Sequence, residues 1–233
     1  MMKSLTTVVF DLDSTLCRYQ FTVAEVLEQA LVRCGFASDR FGPIDVLADG
    51  YNAAWWAAEE TVKASTEELR RRAWIGVLEQ HGLAEVSVAR DLADAYSEIR
   101  KETGLEFFPE VEAFLADLRV RYRTGILTNG PSDMQWEKLR DLDLVVAVDA
   151  IVVAGDLGFF KPDPRPFRRV LELLETEPSD AVYIGDSFEH DIVGAHGVGM
   201  QTVWVTPDGA LHEGDVVPDA VVERATDLRE ALL

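Results

Sequence analysis

The chain has 233 residues, enough to bury a full core in one domain carrying an insertion or in two small domains. Acidic residues number 42 against 22 basic ones, giving a formal net charge of −20, and a surface this acidic repels polyanions, so neither nucleic acid nor an anionic membrane is an expected partner. No apolar run is long enough to cross a bilayer, and two cysteines, Cys17 and Cys34, make neither a disulfide framework nor a metal-ligand cluster, so a cytoplasmic protein with reduced thiols is expected. Excess acidic charge also resists aggregation where salt screens self-repulsion, which points to a halophilic cytoplasm.

The first predicted element is a buried strand over Leu5 to Phe10, a compact apolar and β-branched run that reads as a strand and not as a signal peptide. The period then changes. Val23, Val26, Leu27, Ala30, Leu31 and Cys34 recur at helical spacing and stop at Gly35. A second helix follows Pro43 and carries Trp55 and Trp56, expected in the core of the helical segment. Thr66-Glu67-Glu68 opens a third, whose Arg70, Arg71 and Arg72 are expected to pair with those glutamates on the helix surface. A fourth spans Val86 to Lys101. The stretch 16–107 is therefore expected to be all helix.

Beyond Phe107-Phe108-Pro109 strands and helices alternate. The pattern predicts a helix over Glu110 to Val120, a strand over Arg123 to Thr128, a helix over Asp133 to Leu142 and a strand over Ala150 to Val153. A helix over Pro166 to Leu174, a strand over Ala181 to Ile184 and a Gly-rich helix over Asp191 to His196 come next. Strands Gln201 to Val205 and Ala220 to Val222 and a C-terminal helix finish the chain. Alternation of this kind specifies βαβ units and a parallel sheet. The fold class is thus α/β, with a core made of 1–15 and 108–233 and a helical cap, 16–107, inserted after the first strand.

Four short polar signatures stand at or just beyond the strand ends: Asp11-Leu12-Asp13-Ser14-Thr15, Thr128-Asn129-Gly130, Lys161-Pro162, and Gly185-Asp186 with Asp191. In a parallel α/β sheet, ligands bind beyond the carboxyl ends of the strands, so these residues are expected to converge. A carboxylate such as Asp11 is a competent nucleophile toward phosphorus. Asp13 alternates with it and supplies a candidate acid for an alkoxide leaving group. Clustered anions call for a hard cation, and Mg²⁺ suits Asp11 and Asp186, with Asp191 supporting its water shell. Thr128, Asn129 and their backbone amides are candidate donors to phosphoryl oxygens, and Lys161 adds a fixed positive charge. His190, beside Asp191, is read as a solvent-facing histidine.

This ordered set resembles the haloacid dehalogenase (HAD) superfamily of aspartate-nucleophile hydrolases, over essentially the whole chain. Asp11 to Thr15 looks like its first motif, Thr128 its second, Lys161 its third, and Gly185-Asp186 with Asp191 its fourth. The resemblance implies a Rossmann-like core, a phosphoaspartate on Asp11 and a Mg²⁺ held by Asp11, Asp186 and the carbonyl of Asp13. It departs from many relatives at Ser14, where they have Gly and where a side chain restricts positive φ. The expected function is a Mg²⁺-dependent phosphomonoesterase of a small phosphorylated metabolite. A 2-haloacid dehalogenase, using the same aspartate against carbon, and a catalytically silent binding module on the same fold are the alternatives.

Overall fold

The computed structural model describes residues 5–61, 64–83, 85–207 and 215–233. It divides into two compact units, one of Met1–Arg18 with Glu106–Leu233 and one of Tyr19–Leu105.

The first unit is built on six parallel strands, β1 (Thr7–Phe10), β4 (Arg123–Thr128), β5 (Ala150–Val153), β6 (Ala181–Gly185), β7 (Gln201–Val205) and β8 (Ala220–Val222), in the spatial order β5-β4-β1-β6-β7-β8. It is an α/β, Rossmann-like sheet. All four residues of β1 and five of the six in β4 are buried, the continuous apolar pattern of a sheet covered on both faces. The chain winds from β1 to β4 and β5 on one side and to β6, β7 and β8 on the other, so the order reverses at β1. Phe10 stands opposite both Ile126 and Ile184, which brings the ends of β4, β1 and β6 level.

Helices α5 (Val111–Leu118), α6 (Ser132–Asp141) and α9 (Pro164–Leu173), with short turns α7 (Leu144–Ala147), α8 (Ala154–Leu157), α10 (Gly194–Val198) and α11 (Arg229–Leu232), connect the strands. Asp163 caps α9 by accepting from the Arg165 N–H at 2.9 Å, and Pro164 opens the helix where its missing N–H costs nothing. Phe167, Val170, Leu171 and Leu174 then pack with Val9, Leu127, Val152 and Tyr183 in one cluster.

The second unit holds α1 (Val23–Arg33), α2 (Ile44–Thr61), α3 (Thr66–Gln80) and α4 (Val86–Thr103), with α1 against α4, α4 against α3 and α3 against α2. Thr22 and Glu25 close a capping box at the start of α1, and Ser65 caps α3. The core joins Leu27 and Leu31, Trp74 and Leu78, and Leu92, Tyr96 and Ile99.

Three expectations are corrected. The stretch 16–107 is not wholly helical, because β2 (Cys17–Tyr19) and β3 (Leu105–Phe107) pair with each other. Three residues are too few to display a period, and each strand is completed only by a partner far along the chain. Trp56 is 51% exposed and stands outside the helical core, whereas Trp55 packs against it. The Asp191 segment opens not as a regular helix but as a π-helical turn, Phe188–Val193, before α10.

Candidate active site

Asp11 follows β1 directly and its backbone N–H donates to the Ile184 carbonyl at 2.9 Å, extending the ladder one residue past the strand. Its carboxylate is buried. Asp186 follows β6, and the π-helical turn folds Asp191 back toward the same place, as such turns do at many functional sites. One carboxylate oxygen from each of Asp11, Asp186 and Asp191 lies within 4.8 Å of the others. Gly185 makes this approach possible, since a Cβ there would collide with the Asp191 carboxylate. The backbone carbonyl of Asp186 is fixed in turn by the indole N–H of Trp204 at 2.8 Å.

Lys161, 3% exposed, reaches into this cluster from the loop before α9. Its Nζ lies 2.6 Å from Asp11 Oδ1, 2.7 Å from Asp191 Oδ1, 3.0 Å from the Tyr183 hydroxyl and 3.2 Å from the Leu127 carbonyl. Burial lowers the lysine's affinity for its proton, but Asp11 and Asp191 outweigh this and hold it charged. Burial raises the Asp11 pKa well above the ordinary value, and Asp191 and Asp186 add to this against the pull of Lys161. Asp186 is pushed up to about 6, first by burial and then by the charge of Asp191.

Three carboxylates against one ammonium leave two negative charges in excess. Oxygen ligands with that deficit fit a hard dication such as Mg²⁺, and proximity of like charges is otherwise costly.

Asp13 stands apart from this cluster by its side chain. Its two oxygens accept from Lys138 Nζ at 2.7 and 2.8 Å, and Oδ2 also accepts from Gln135 Nε2 at 2.9 Å. Burial raises its pKa, but Lys138 and Gln135 outweigh that and the net shift is downward. Between the two carboxylates and the rest of the loop the chain turns at Ser14, which adopts φ 61°, a left-handed conformation that a side chain disfavours.

Thr128 closes β4 and is buried, its hydroxyl donating to the Asn129 carbonyl at 3.1 Å and accepting from Gln135 Nε2 at 3.1 Å. Gln135 also donates to the Asn129 carbonyl. Gly130, at φ 113°, leaves room for this amide, since a Cβ there would lie 2.7 Å from Gln135 Nε2. The Asn129 side chain turns instead to the Lys161 backbone, accepting from its N–H at 2.8 Å and donating to its carbonyl at 3.1 Å. It therefore anchors the lysine loop. His190 is half-buried with Nδ1 3.1 Å from Ser187 Oγ, outside the carboxylate cluster. Arg71 and Arg72 bond Glu68, while Arg70 donates to Ser97 Oγ at 2.6 Å.

Sequence reading passed over Gln135, Lys138 and Tyr183. Gln135 and Lys138 carry a weak signal, two polar residues three apart on one helix face just after Thr128-Asn129-Gly130. Tyr183 carries none, since it reads as one more apolar residue of β6.

The family model for haloacid dehalogenase-like hydrolases matches residues 5–199. The chain belongs to that family. It is 36% identical to the phosphoserine phosphatase of Thermus thermophilus over 175 residues, 75% of this chain and 68% of the relative. Some other curated relatives are matched over little more than half their own length. Among solved structures, this hydrolase is similar to the 2-haloacid dehalogenase of Pseudomonas syringae pv. Tomato DC3000, at 30% identity over 98% of both chains with a TM-score of 0.68. It is similar too to the putative HAD-hydrolase YfnB of Bacillus subtilis bound to magnesium, at 25% identity over 99% of both chains with a TM-score of 0.73. Among the hydrolase's described residues no helix is long and apolar enough to cross a membrane.

Proposed function

We propose that the protein is a Mg²⁺-dependent phosphomonoesterase of a small phosphorylated metabolite. The observation that carries the reading is the separation of two carboxylates two residues apart, Asp11 in a cation-seeking cluster and Asp13 on its own lysine. A dehalogenase expels a halide, which needs no proton, and brings no phosphate dianion to be neutralised. It has no use for either feature, whereas phosphate ester cleavage needs both. The resemblance to phosphatases supports the same choice.

In this reading an Asp11 oxygen attacks phosphorus and the P–O bond to the leaving group breaks. Asp13 delivers a proton to the departing oxygen, assistance typically worth about 10²–10⁴-fold. Water then attacks the aspartyl-phosphate, Asp13 takes its proton, and Asp11 leaves as a carboxylate with release of inorganic phosphate. Lys161 supplies fixed positive charge beside the reacting carboxylate. Thr128, with the Asn129 backbone, offers donors to phosphoryl oxygens. A magnesium ion held by Asp11, Asp186 and the Asp13 carbonyl, with Asp191 in support, would neutralise phosphate charge that otherwise repels the nucleophile. We read Tyr19–Leu105 as a cap that determines specificity, and the protein as cytoplasmic and adapted to high salt.

The test is a panel of phosphorylated metabolites and p-nitrophenyl phosphate, each with MgCl₂ and with excess chelator, beside halide release from 2-chloropropionate. Phosphate release that requires Mg²⁺ is expected. Halide release without Mg²⁺, and no phosphate release, overturns the reading in favour of the dehalogenase. In the first half of the reaction Asp13→Asn should slow phosphoryl transfer from alkyl phosphates far more than from p-nitrophenyl phosphate, whose leaving group is already acidic, while hydrolysis of the aspartyl-phosphate slows alike for both.

A further inference from the structure

We propose that Lys138, aided by Gln135, positions Asp13 for the second half of the reaction, in which water attacks the aspartyl-phosphate. The inference rests on the phosphatase reading above. Lys138 and Gln135 sit three residues apart on α6 and so share a face. The ammonium contacts both Asp13 oxygens, at 2.7 and 2.8 Å, and the amide donates to one of them at 2.9 Å. The anchor is the more enclosed partner: the Lys138 side chain is 6% exposed and that of the half-buried Asp13 is 40% exposed. Gln135 Nε2 also meets the Thr128 hydroxyl at 3.1 Å, so one helix face ties the Asp13 loop to the phosphate-facing end of β4.

The two halves of the reaction ask opposite things of Asp13. In the first it must give up a proton to the leaving oxygen. In the second it must accept one: water's oxygen bonds to phosphorus, the bond from phosphorus to the Asp11 oxygen breaks with its electron pair returning to Asp11, and water's proton passes to Asp13. That proton then serves the next leaving group. A carboxylate held through both oxygens by an ammonium and an amide N–H is a group oriented to receive a proton, which is the requirement of the second half. Lys138 is thus a positioning residue acting through Asp13.

The test is rapid-quench kinetics of the full-length protein with MgCl₂ and p-nitrophenyl phosphate, whose leaving group departs without an acid. Lys138→Met should release one nitrophenolate per enzyme at close to the wild-type rate, then turn over at least tenfold more slowly, with phosphoprotein accumulating in acid-quenched samples. Lys138→Arg should restore most of the steady-state rate. Equal loss in both phases without phosphoprotein, or a steady-state rate within twofold of wild type, overturns the proposal. Should Lys138→Met fail to fold by circular dichroism, Gln135→Leu must show the same burst in smaller degree, and a uniform loss there overturns it. Asp13→Asn separates the two readings. If it accumulates phosphoprotein and Lys138→Met does not, the phosphatase reading stands and the role of Lys138 falls. If no variant traps phosphate on the chain, the aspartyl-phosphate reading falls and takes this proposal with it.

Discussion

Lys161 Nζ lies 2.6 Å from Asp11 Oδ1, so the residue read as nucleophile shares its negative charge with a buried ammonium. The same ammonium sits 2.7 Å from Asp191, and both carboxylates are largely shut off from bulk water. Removing one partner of such a pair leaves an uncompensated buried charge, typically at a cost of about 3–5 kcal/mol. Lys161→Met should therefore lower the melting temperature in chelator at neutral pH and abolish phosphatase turnover. MgCl₂ should recover more of the melting temperature in the variant than it adds to the wild type. A variant as stable as wild type in chelator would show that the carboxylates find their compensation elsewhere.

The raised pKa of Asp186 sets the sign of a pH effect on metal binding. In the metal-free protein its ionised form is disfavoured, and this penalty is complete above about pH 6 and relieved as pH falls through that value. Protons therefore compete with Mg²⁺, and stabilisation by a ligand follows its affinity for the folded state. The rise in melting temperature produced by MgCl₂ should be largest at pH 7.5 and shrink markedly by pH 5. Thermal denaturation with MgCl₂ and with chelator at both pH values measures it. An equal or larger rise at pH 5 would remove Asp186 from the metal site.

Ser14 holds φ 61° immediately after the two catalytic candidates. Left-handed backbone costs a residue with a side chain on the order of 1 kcal/mol, which Gly avoids. Ser14→Gly should accordingly raise the melting temperature by a few degrees, about 2–4 °C for each kcal/mol in a chain of this size, and leave turnover within twofold. A fall in melting temperature would mean that the serine side chain contributes more than its strain.

The net charge of −20 predicts a protein stabilised by molar KCl, through screening of self-repulsion. The melting temperature should climb steadily from low salt to molar KCl. If it stays flat or declines, the high-salt reading is wrong, while the catalytic assignments are untouched.

Much of the fold was legible because its strands are short apolar runs separated by helices with clear stops, as at Arg123–Thr128 and Ala150–Val153, where expectation and structure coincide. The parallel sheet followed from alternation, and with it the meeting of Asp11, Thr128 and Asp186 at one sheet edge. Local patterns of this sort are determined by the chain itself, since period and turn chemistry act over a few residues. The tertiary structure alone decided the partners. Nothing in the spacing of Asp13 and Lys138 announces a pair 2.7 Å apart across 125 residues, nor that Asn129 would turn to the Lys161 backbone rather than outward. The same holds for β2 and β3, each too short to bear a period and completed only by the other. A side chain's partner depends on which distant element packs beside it, and burial then turns that neighbour's charge into the pKa shifts that define the site.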